Sequence, residues 1–354
     1  MGTKPPGDRS TRRLRVWGFF AALLLPAVIW CLDMERALEP LEESDQPFNR
    51  AFGFRASLIR LNATLRMGLF GVSPNKDVLP GREGWYFLSR HEGRRLLRES
   101  HQTESAFQEF QIRRNELEKA MSFCRGQGVE LLVAIAPSKA SLYSDYLPLR
   151  YRSSQLLSAG ETFKGSLSAD ARQSVLLFSH ALEEAKAMGQ LYHKTDTHWN
   201  PLGAWVASKR LTEVLNRETS LQLPELPVPE RIEMRRRSGG DLMRLMGLTE
   251  FHEETVPVPL ISTPTVRKAS GDVLERAPFA ALQRGASFQR LVSEKGAGYK
   301  VVIIHDSFGI ELMPFIGSQV AQSVWVWDTR FRVDVVEAEK PDLVVWLFMD
   351  RHLR

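Results

Sequence analysis

Two short stretches far apart in the chain carry residue types that together could activate a hydroxyl. Lys194-Thr195-Asp196-Thr197-His198-Trp199-Asn200 holds a carboxylate and an imidazole two positions apart, just before Pro201. Val301-Val302-Ile303-Ile304 runs into His305-Asp306-Ser307-Phe308-Gly309. A serine hydroxyl is a poor nucleophile until a histidine takes its proton, and a carboxylate on the far side of the ring fixes the histidine's tautomer. Asp196, His198 and Ser307 supply those three types. Each has a plainer reading alone: Ser307 as a helix cap, Asp196 as a turn residue, His198 as a hydrogen-bonded surface histidine. In combination, each where a strand gives way to a helix, they read as a Ser-His-Asp triad.

The elements that must hold these residues follow from hydrophobic pattern. The runs Glu130 to Ala136, Val301 to Ile304, Ser323 to Trp327 and Leu343 to Phe348 are almost uninterruptedly apolar. Such runs suit parallel strands covered on both faces, and so predict an α/β chain. An amphipathic helix is expected over about 52–70, and Pro80 to Leu88 reads as a turn feeding a short aromatic strand. A long charged helix is expected over about 105–126, ending at Gly128. The stretch 221–295 breaks the rhythm and reads as an insertion or loop region rimming the site, with some irregular β structure. No internal repeat is evident. Asn200-Pro201 starts a helix directly after the Asp/His stretch.

The N-terminus bears on where the chemistry would take place. Lys4, Arg9, Arg12, Arg13 and Arg15 precede an uncharged run from Val16 to Leu32. Its 17 residues sit at the lower limit for a membrane-spanning helix, and basic flanks stay in the cytoplasm. Residues 1–35 are therefore expected to be a basic tail and single-pass signal-anchor in the inner membrane, 36–80 a linker with a helical segment, and 81–354 the exported domain. A cleaved signal peptide is the alternative. The whole chain carries +5, of which residues 1–32 supply +4, so the basic balance marks topology and does not argue for a nucleic-acid partner. Cys31 and Cys124 cannot pair if one lies in the membrane, so the domain is expected to rely on its core. The histidines are scattered, no Cys/His cluster forms, and neither metal nor cofactor is expected.

Five motifs then resemble one family in order. Gly81-x-x-Gly84-Trp85-Tyr86-Phe87, Pro137-Ser138-Lys139 with Leu142-Tyr143-x-x-Tyr146-Leu147-Pro148, Asp196-Thr197-His198-Trp199-Asn200, Gly239-Gly240-Asp241-Leu242 and Asp306-Ser307-Phe308 are similar to the alginate O-acetyltransferases of the AlgJ/AlgX type. The resemblance implies an SGNH-hydrolase-like three-layer α/β/α fold with a mostly parallel sheet, circularly permuted so that the Asp/His block precedes the serine. In that arrangement the strand at Val301 leads, those at Ser323 and Leu343 follow, and Glu130 to Ala136 comes next in space. It implies Ser307 as the acetyl-accepting nucleophile, His198 as base and Asp196 as its orienting carboxylate. It also implies a periplasmic enzyme acetylating hydroxyls of an alginate-like or other exopolysaccharide. The acetyl donor would be a membrane-bound acyltransferase partner, alongside other exopolysaccharide assembly proteins.

The remaining site residues are open between two readings each. His305 stands where such hydrolases usually have glycine, as a wall residue or a second proton handler. Arg351, past the strand at Leu343, either replaces a missing oxyanion-hole asparagine or pairs with Asp350 or Asp306. Lys139 either binds substrate or is a solvated lysine beside a turn. Trp199 and Phe308 offer flat faces to a sugar ring, or pack inside and support the loop carrying His198. Two rival functions use the same residues: a carbohydrate acetyl esterase, and a non-catalytic polysaccharide-binding scaffold.

Overall fold

The computed structural model describes residues 17, 55–89, 110–152, 158–262, 266–269 and 288–353. The chain divides into two compact units, Met1–Pro74 and Asn75–Arg354. Within the first, helix α1 (Arg55–Phe70) occupies most of the expected helical segment. The apolar run Val16–Leu32 lies outside the described residues apart from Trp17. Among the described residues no helix is long and apolar enough to cross a membrane.

The second unit alternates strands with helices. Its strands are β1 (Val78–Pro80), β2 (Tyr86–Leu88), β3 (Glu130–Ala136), β4 (Val175–Leu177), β5 (Arg231–Ser238), β6 (Glu253–Leu260), β7 (Val266–Lys268), β8 (Phe288–Ser293), β9 (Ala297–His305), β10 (Val320–Trp327) and β11 (Leu343–Met349). Its helices include α2 (Gln111–Gln127), α3 (Lys139–Leu142), α4 (Ala159–Gly165), α5 (Pro201–Glu218), α6 (Asp241–Met246), α7 (Met313–Gln319) and α8 (Val333–Glu339). The central sheet has the order β4-β3-β11-β9-β10-β8-β7. From β4 to β10 all pairs are parallel; β3 lies beside β11 as the permuted arrangement predicts, while β9 lies between β10 and β11 instead of leading the sheet.

Beyond β10 the sheet turns antiparallel, through β8 and then β7. The central sheet is thus mixed, and the stretch expected as an insertion supplies both of these outer strands, with β7 at the edge. Their incomplete burial explains why the sequence conceals them. The margin of the sheet is covered incompletely, so β8 (FQRLVS) and the edge strand β7 (VRK) carry more polar residues than the strands inside them. The same stretch forms a separate antiparallel pair, β5 with β6, in register from Arg231↔Leu260 to Ser238↔Glu253.

The uninterrupted apolar strands bury both faces. Ala134, Ala136, Val301, Ile303, Val345 and Leu347 pack on one side with Leu202, Leu211 and Leu215 of α5. Their neighbours Val133, Ile135, Val302, Ile304, Val344, Trp346 and Phe348 pack on the other with Leu117, Ala120 and Cys124 of α2 and Phe163 of α4. Since side chains alternate along a strand, two covering layers require every residue to be apolar. Burial pushes the Cys124 thiol up to about 12.

The crossovers decide where a site can form. After β9 the chain crosses through α7, whose Phe315 and Ile316 belong to the first face, to reach β10. After β10 it crosses back through α8, whose Val335 and Val336 belong to the second face, to reach β11 on the other side of β9. Connections therefore leave the sheet in opposite directions around the C-terminal end of β9. Open α/β sheets bind ligands at that kind of switch point.

Candidate active site

Strand β9 ends at His305, and the chain turns at once. Asp306 caps a short 3-10 turn, Ser307–Leu312, by accepting the Phe308 N–H at Oδ1, 2.9 Å. Its Oδ2 accepts the Met349 N–H at 2.8 Å, which ties this turn to the end of β11. Burial pushes the Asp306 carboxyl above its ordinary value, against the pull of those two N–H donors and of the Arg351 and His198 charges. Ser307 occupies the first position of the turn, where a backbone N–H has no partner within the helix. Its side chain is half-buried.

His305 is a wall residue. It is 1% exposed, its Nδ1 lies 2.6 Å from the Asp306 carbonyl oxygen, and its ring packs against Trp325 and Trp327. Burial lowers its pKa to about 4, so the ring is neutral and Nδ1–H donates.

The Asp/His stretch is the tip of a tight hairpin. Tyr192 and Trp199 form an antiparallel bridge, closed by His193 N–H to His198 O at 3.1 Å and Asn200 N–H to Leu191 O at 2.9 Å. The Asn200 side chain then accepts the Gly203 N–H and caps α5, with Pro201 at its first position. Surrounding segments take up the tip's backbone groups. Tyr86 N–H donates to Lys194 O, and Leu242 N–H to Thr195 O. Glu254 Oε2 accepts the N–H groups of Lys194 and Thr195 at 2.7 and 3.2 Å. Gly240 N–H donates to Thr195 Oγ1 at 3.0 Å, and Asp241 accepts both the N–H and the hydroxyl of Thr197.

The hairpin brings His198 against the turn after β9. His198 Nε2 lies 2.7 Å from Ser307 Oγ, and His198 Nδ1 lies 2.6 Å from Asp196 Oδ1. Asp196 Oδ1 also accepts the His198 backbone N–H at 3.1 Å, while Oδ2 accepts the Asp241 N–H at 3.1 Å. The Arg237 guanidinium stands 3.6 Å from the same Oδ2. Burial by itself would raise the Asp196 carboxyl. The hydrogen bond and charge of His198 together with the Asp241 N–H outweigh it and hold the group well below the usual carboxylate range. An ionised Asp196 places the proton on Nδ1 and leaves the Nε2 lone pair facing the serine hydroxyl. The side chains of His198 and Asp196 are 24% and 12% exposed and Ser307 is half-buried, so solvent reaches the site.

Asp196, His198 and Asp241 also bring three potential ligand atoms within 4.8 Å of one another. Their hydrogen bonds already use them: both Asp196 oxygens accept N–H groups, and both Asp241 oxygens accept from Thr197. The set is arranged to orient an imidazole.

The other expected site residues fall elsewhere. Lys139 is 1% exposed, which corrects both readings of it: no substrate reaches it and it is not solvated. Its Nζ donates to the carbonyl oxygens of His193, Lys194 and Asp196 at 3.0, 3.1 and 2.7 Å. Trp199 is fully buried against Phe178 and Phe308. Phe308 is fully buried with its ring centroid 4.9 Å from that of His198. Neither offers a face to a sugar; they form the floor under the imidazole. Arg351 lies in the turn Asp350–Leu353 after β11, half-buried, with its charge felt by Asp306. The sequence reading missed Glu254 and Arg237 entirely. It noted Gly240 and Asp241 as part of a motif without a role; here Gly240 holds Thr195, and Asp241 holds Asp196 and Thr197.

Residues 78–290 match the family model described as SGNH hydrolase-like domain, acetyltransferase AlgX. The chain belongs to this family. The matched span contains Asp196 and His198 and ends before Ser307, whose place at the site comes from the geometry above. Among curated proteins, the chain is 30% identical over 135 residues to the probable alginate O-acetylase AlgJ of Pseudomonas putida, covering 37% of this chain and 34% of that one. It is 26% identical over 261 residues to the probable alginate O-acetylase AlgJ of Pseudomonas fluorescens, covering 70% of this chain and 64% of that one. The chain thus spans about a third of the first of these relatives and less than two thirds of the second. Among solved structures, Bacillus cereus PatB1 with a sulfonyl adduct superposes with a TM-score of 0.50 at 14% identity, covering 69% of this chain and 89% of that one. That likeness shows a shared α/β fold, and the family description is of an SGNH hydrolase-like domain.

Proposed function

We propose that this AlgX-family chain is a serine O-acetyltransferase that acetylates hydroxyls of an exopolysaccharide. The observation that carries the reading is the continuous relay Asp196 Oδ1···Nδ1 His198 Nε2···Oγ Ser307, at 2.6 and 2.7 Å. Such a relay activates a serine whatever the acyl acceptor. The acetyltransferase description of the family and the alginate O-acetylase names of the relatives favour a sugar hydroxyl over water as that acceptor.

The reaction has two halves. His198 Nε2 takes the Ser307 hydroxyl proton as Oγ attacks the acetyl carbonyl carbon. The resulting oxyanion is held by the Ser307 N–H, with Arg351 at the rim as the second donor. Collapse breaks the bond to the leaving group, which takes the proton from His198, and leaves acetyl-Ser307. A bound sugar hydroxyl then gives its proton to His198 and attacks the acetyl carbon, and Ser307 leaves with that proton. Asp196 stays ionised throughout and stabilises the imidazolium formed in each half. Transfer wins over hydrolysis when the sugar hydroxyl is bound close to acetyl-serine and water is partly excluded.

The cellular setting belongs to the same proposal. The basic tail and the apolar run Val16–Leu32 hold the domain at the outer face of the inner membrane. There a membrane-bound acyltransferase delivers the acetyl group, and other exopolysaccharide assembly proteins bring the polymer.

The test uses wild-type and Ser307→Ala proteins with a chromogenic acetyl ester, with and without acidic or neutral oligosaccharides, followed by mass spectrometry of the sugar. Acetylated sugar from wild type alone supports the transferase. Ser307-dependent ester cleavage with no sugar product across the acceptor panel would favour an acetyl esterase. No Ser307-dependent turnover would leave a polysaccharide-binding scaffold as the better account.

A further inference from the structure

Lys139 is a cation sealed inside the domain, one hairpin away from the catalytic residues. It follows strand β3 by three positions and opens the one-turn helix α3, which Ser138 caps through the Ser141 N–H. Its ammonium lies over the rings of Phe87 and Trp85, 5.3 and 5.8 Å from their centroids. Its donors reach the carbonyl oxygens of His193, Lys194 and Asp196. Those three residues make up half of the six-residue tip, 193–198, that carries Asp196 and His198.

The chemistry of the contact is specific to an ammonium. A primary ammonium has three N–H groups on one small centre, and three converging carbonyls satisfy them all. A planar guanidinium cannot send three donors from one nitrogen, and a neutral side chain of the same length would leave three buried carbonyls without these donors. Taking a lysine out of water is costly, and this fold sustains that cost at the tip of the Asp196–His198 hairpin.

We infer that Lys139 is a positioning residue for the triad. Its ammonium pins the carbonyls of residues 193, 194 and 196, and so fixes the backbone from which Asp196 and His198 project toward Ser307. Pro137 adds a second tie from the same loop, its carbonyl accepting the Tyr192 hydroxyl at 2.7 Å. The inference rests on the triad reading above. A loss of register of about 1 Å at reacting groups costs on the order of a hundredfold in rate, so a small relaxation of the hairpin is enough to silence the serine.

The experiment measures covalent labelling of Ser307 by a sulfonyl fluoride, which needs the His198–Ser307 relay but no acyl acceptor. Wild type, Lys139→Met and Lys139→Ala are compared by intact mass, each checked by circular dichroism and thermal melting. The expected result is a labelling rate about a hundredfold lower in folded Lys139→Met, at temperatures far below its melting point. In Lys139→Ala, millimolar n-propylammonium restores the rate severalfold while n-propanol does not. If Lys139→Met does not fold, the amine rescue of Lys139→Ala decides alone. A folded Lys139→Met labelled at the wild-type rate would overturn the proposal, as would a folded Lys139→Ala that the amine does not accelerate. Failure of wild type to label would instead remove the triad reading, and this inference with it.

Discussion

Asp306 joins two strands and His198 reaches the residue that follows it: the Asp306 carboxylate accepts N–H groups from Phe308 and Met349, and His198 Nε2 meets Ser307 at 2.7 Å across 109 positions of sequence. The hydroxyl therefore sits on a turn held from two sides, opposite an imidazole held by its own carboxylate. Both partners are fixed before any substrate arrives, which is the geometric condition for serine activation.

Replacing Ser307 by alanine removes the nucleophile and little else, because its side chain is half-buried at the start of a turn. Acetyl-ester turnover is expected to fall by about a thousandfold or more, with the melting temperature within a few degrees of wild type. A chromogenic ester assay paired with a thermal melt checks both halves.

Asp196→Asn keeps the shape but not the charge. The amide no longer holds the proton on Nδ1, so the rate is expected to drop by about a hundred- to ten-thousandfold. The folded Asp196 carboxyl lies below its unfolded value of 3.8. Its stabilising contribution is therefore fully present above that value and is lost as pH falls through the lower folded one. Urea midpoints should show Asp196→Asn less stable than wild type at pH 7, with the gap narrowing only below about pH 4. A gap unchanged between pH 7 and pH 3 would refute the linkage.

His305 has the same sign in a different window. Its folded pKa of about 4 lies below the ordinary 6.5 because burial opposes the charged ring. The unfolded chain binds the proton first, so stability falls as pH drops from about 6.5 to 4, by up to about 3 kcal/mol. His305→Asn, which retains a donor near the Asp306 carbonyl, should be less stable at pH 7 and should flatten that slope. Denaturant melts at half-unit steps across the window measure it.

Gly240→Ala tests the close packing against Asp196. The Gly240 backbone is extended, φ −80°, so alanine is conformationally allowed there. A Cβ at that position would overlap the Cβ and Oδ2 of Asp196, and one of the two must move. Activity is expected to fall by about a hundredfold, with a modest loss of stability. Wild-type turnover in this variant would mean that Asp196 tolerates displacement.

Much of this molecule was legible as sequence because local chemistry and burial write themselves into composition. The inner strands β3, β9, β10 and β11 are almost continuously apolar where both faces are covered, and β3 spans Glu130–Ala136 as its pattern requires. The helix after Asn200-Pro201 begins where cap and proline place it, and Gly128 ends α2 in the left-handed conformation. Asp196, His198 and Ser307 were legible as types, because few side chains can perform each step.

Tertiary structure decided which of the remaining residues touch the site. Lys139, Trp199 and Phe308 have side chains that suit substrate binding as well as burial, and spacing carries no record of which way a side chain faces. Glu254, Arg237, Gly240 and Asp241 lie 39 or more positions from the hairpin tip they hold, and reach it only through the β5–β6 pair and the turn between them. The polar outer strands β7 and β8 had no apolar run to announce them. Sequence by itself determined the chemical types and the buried inner strands, because those depend on each residue's own solvation. The fold alone determined the contacts, because they depend on where distant segments meet in space.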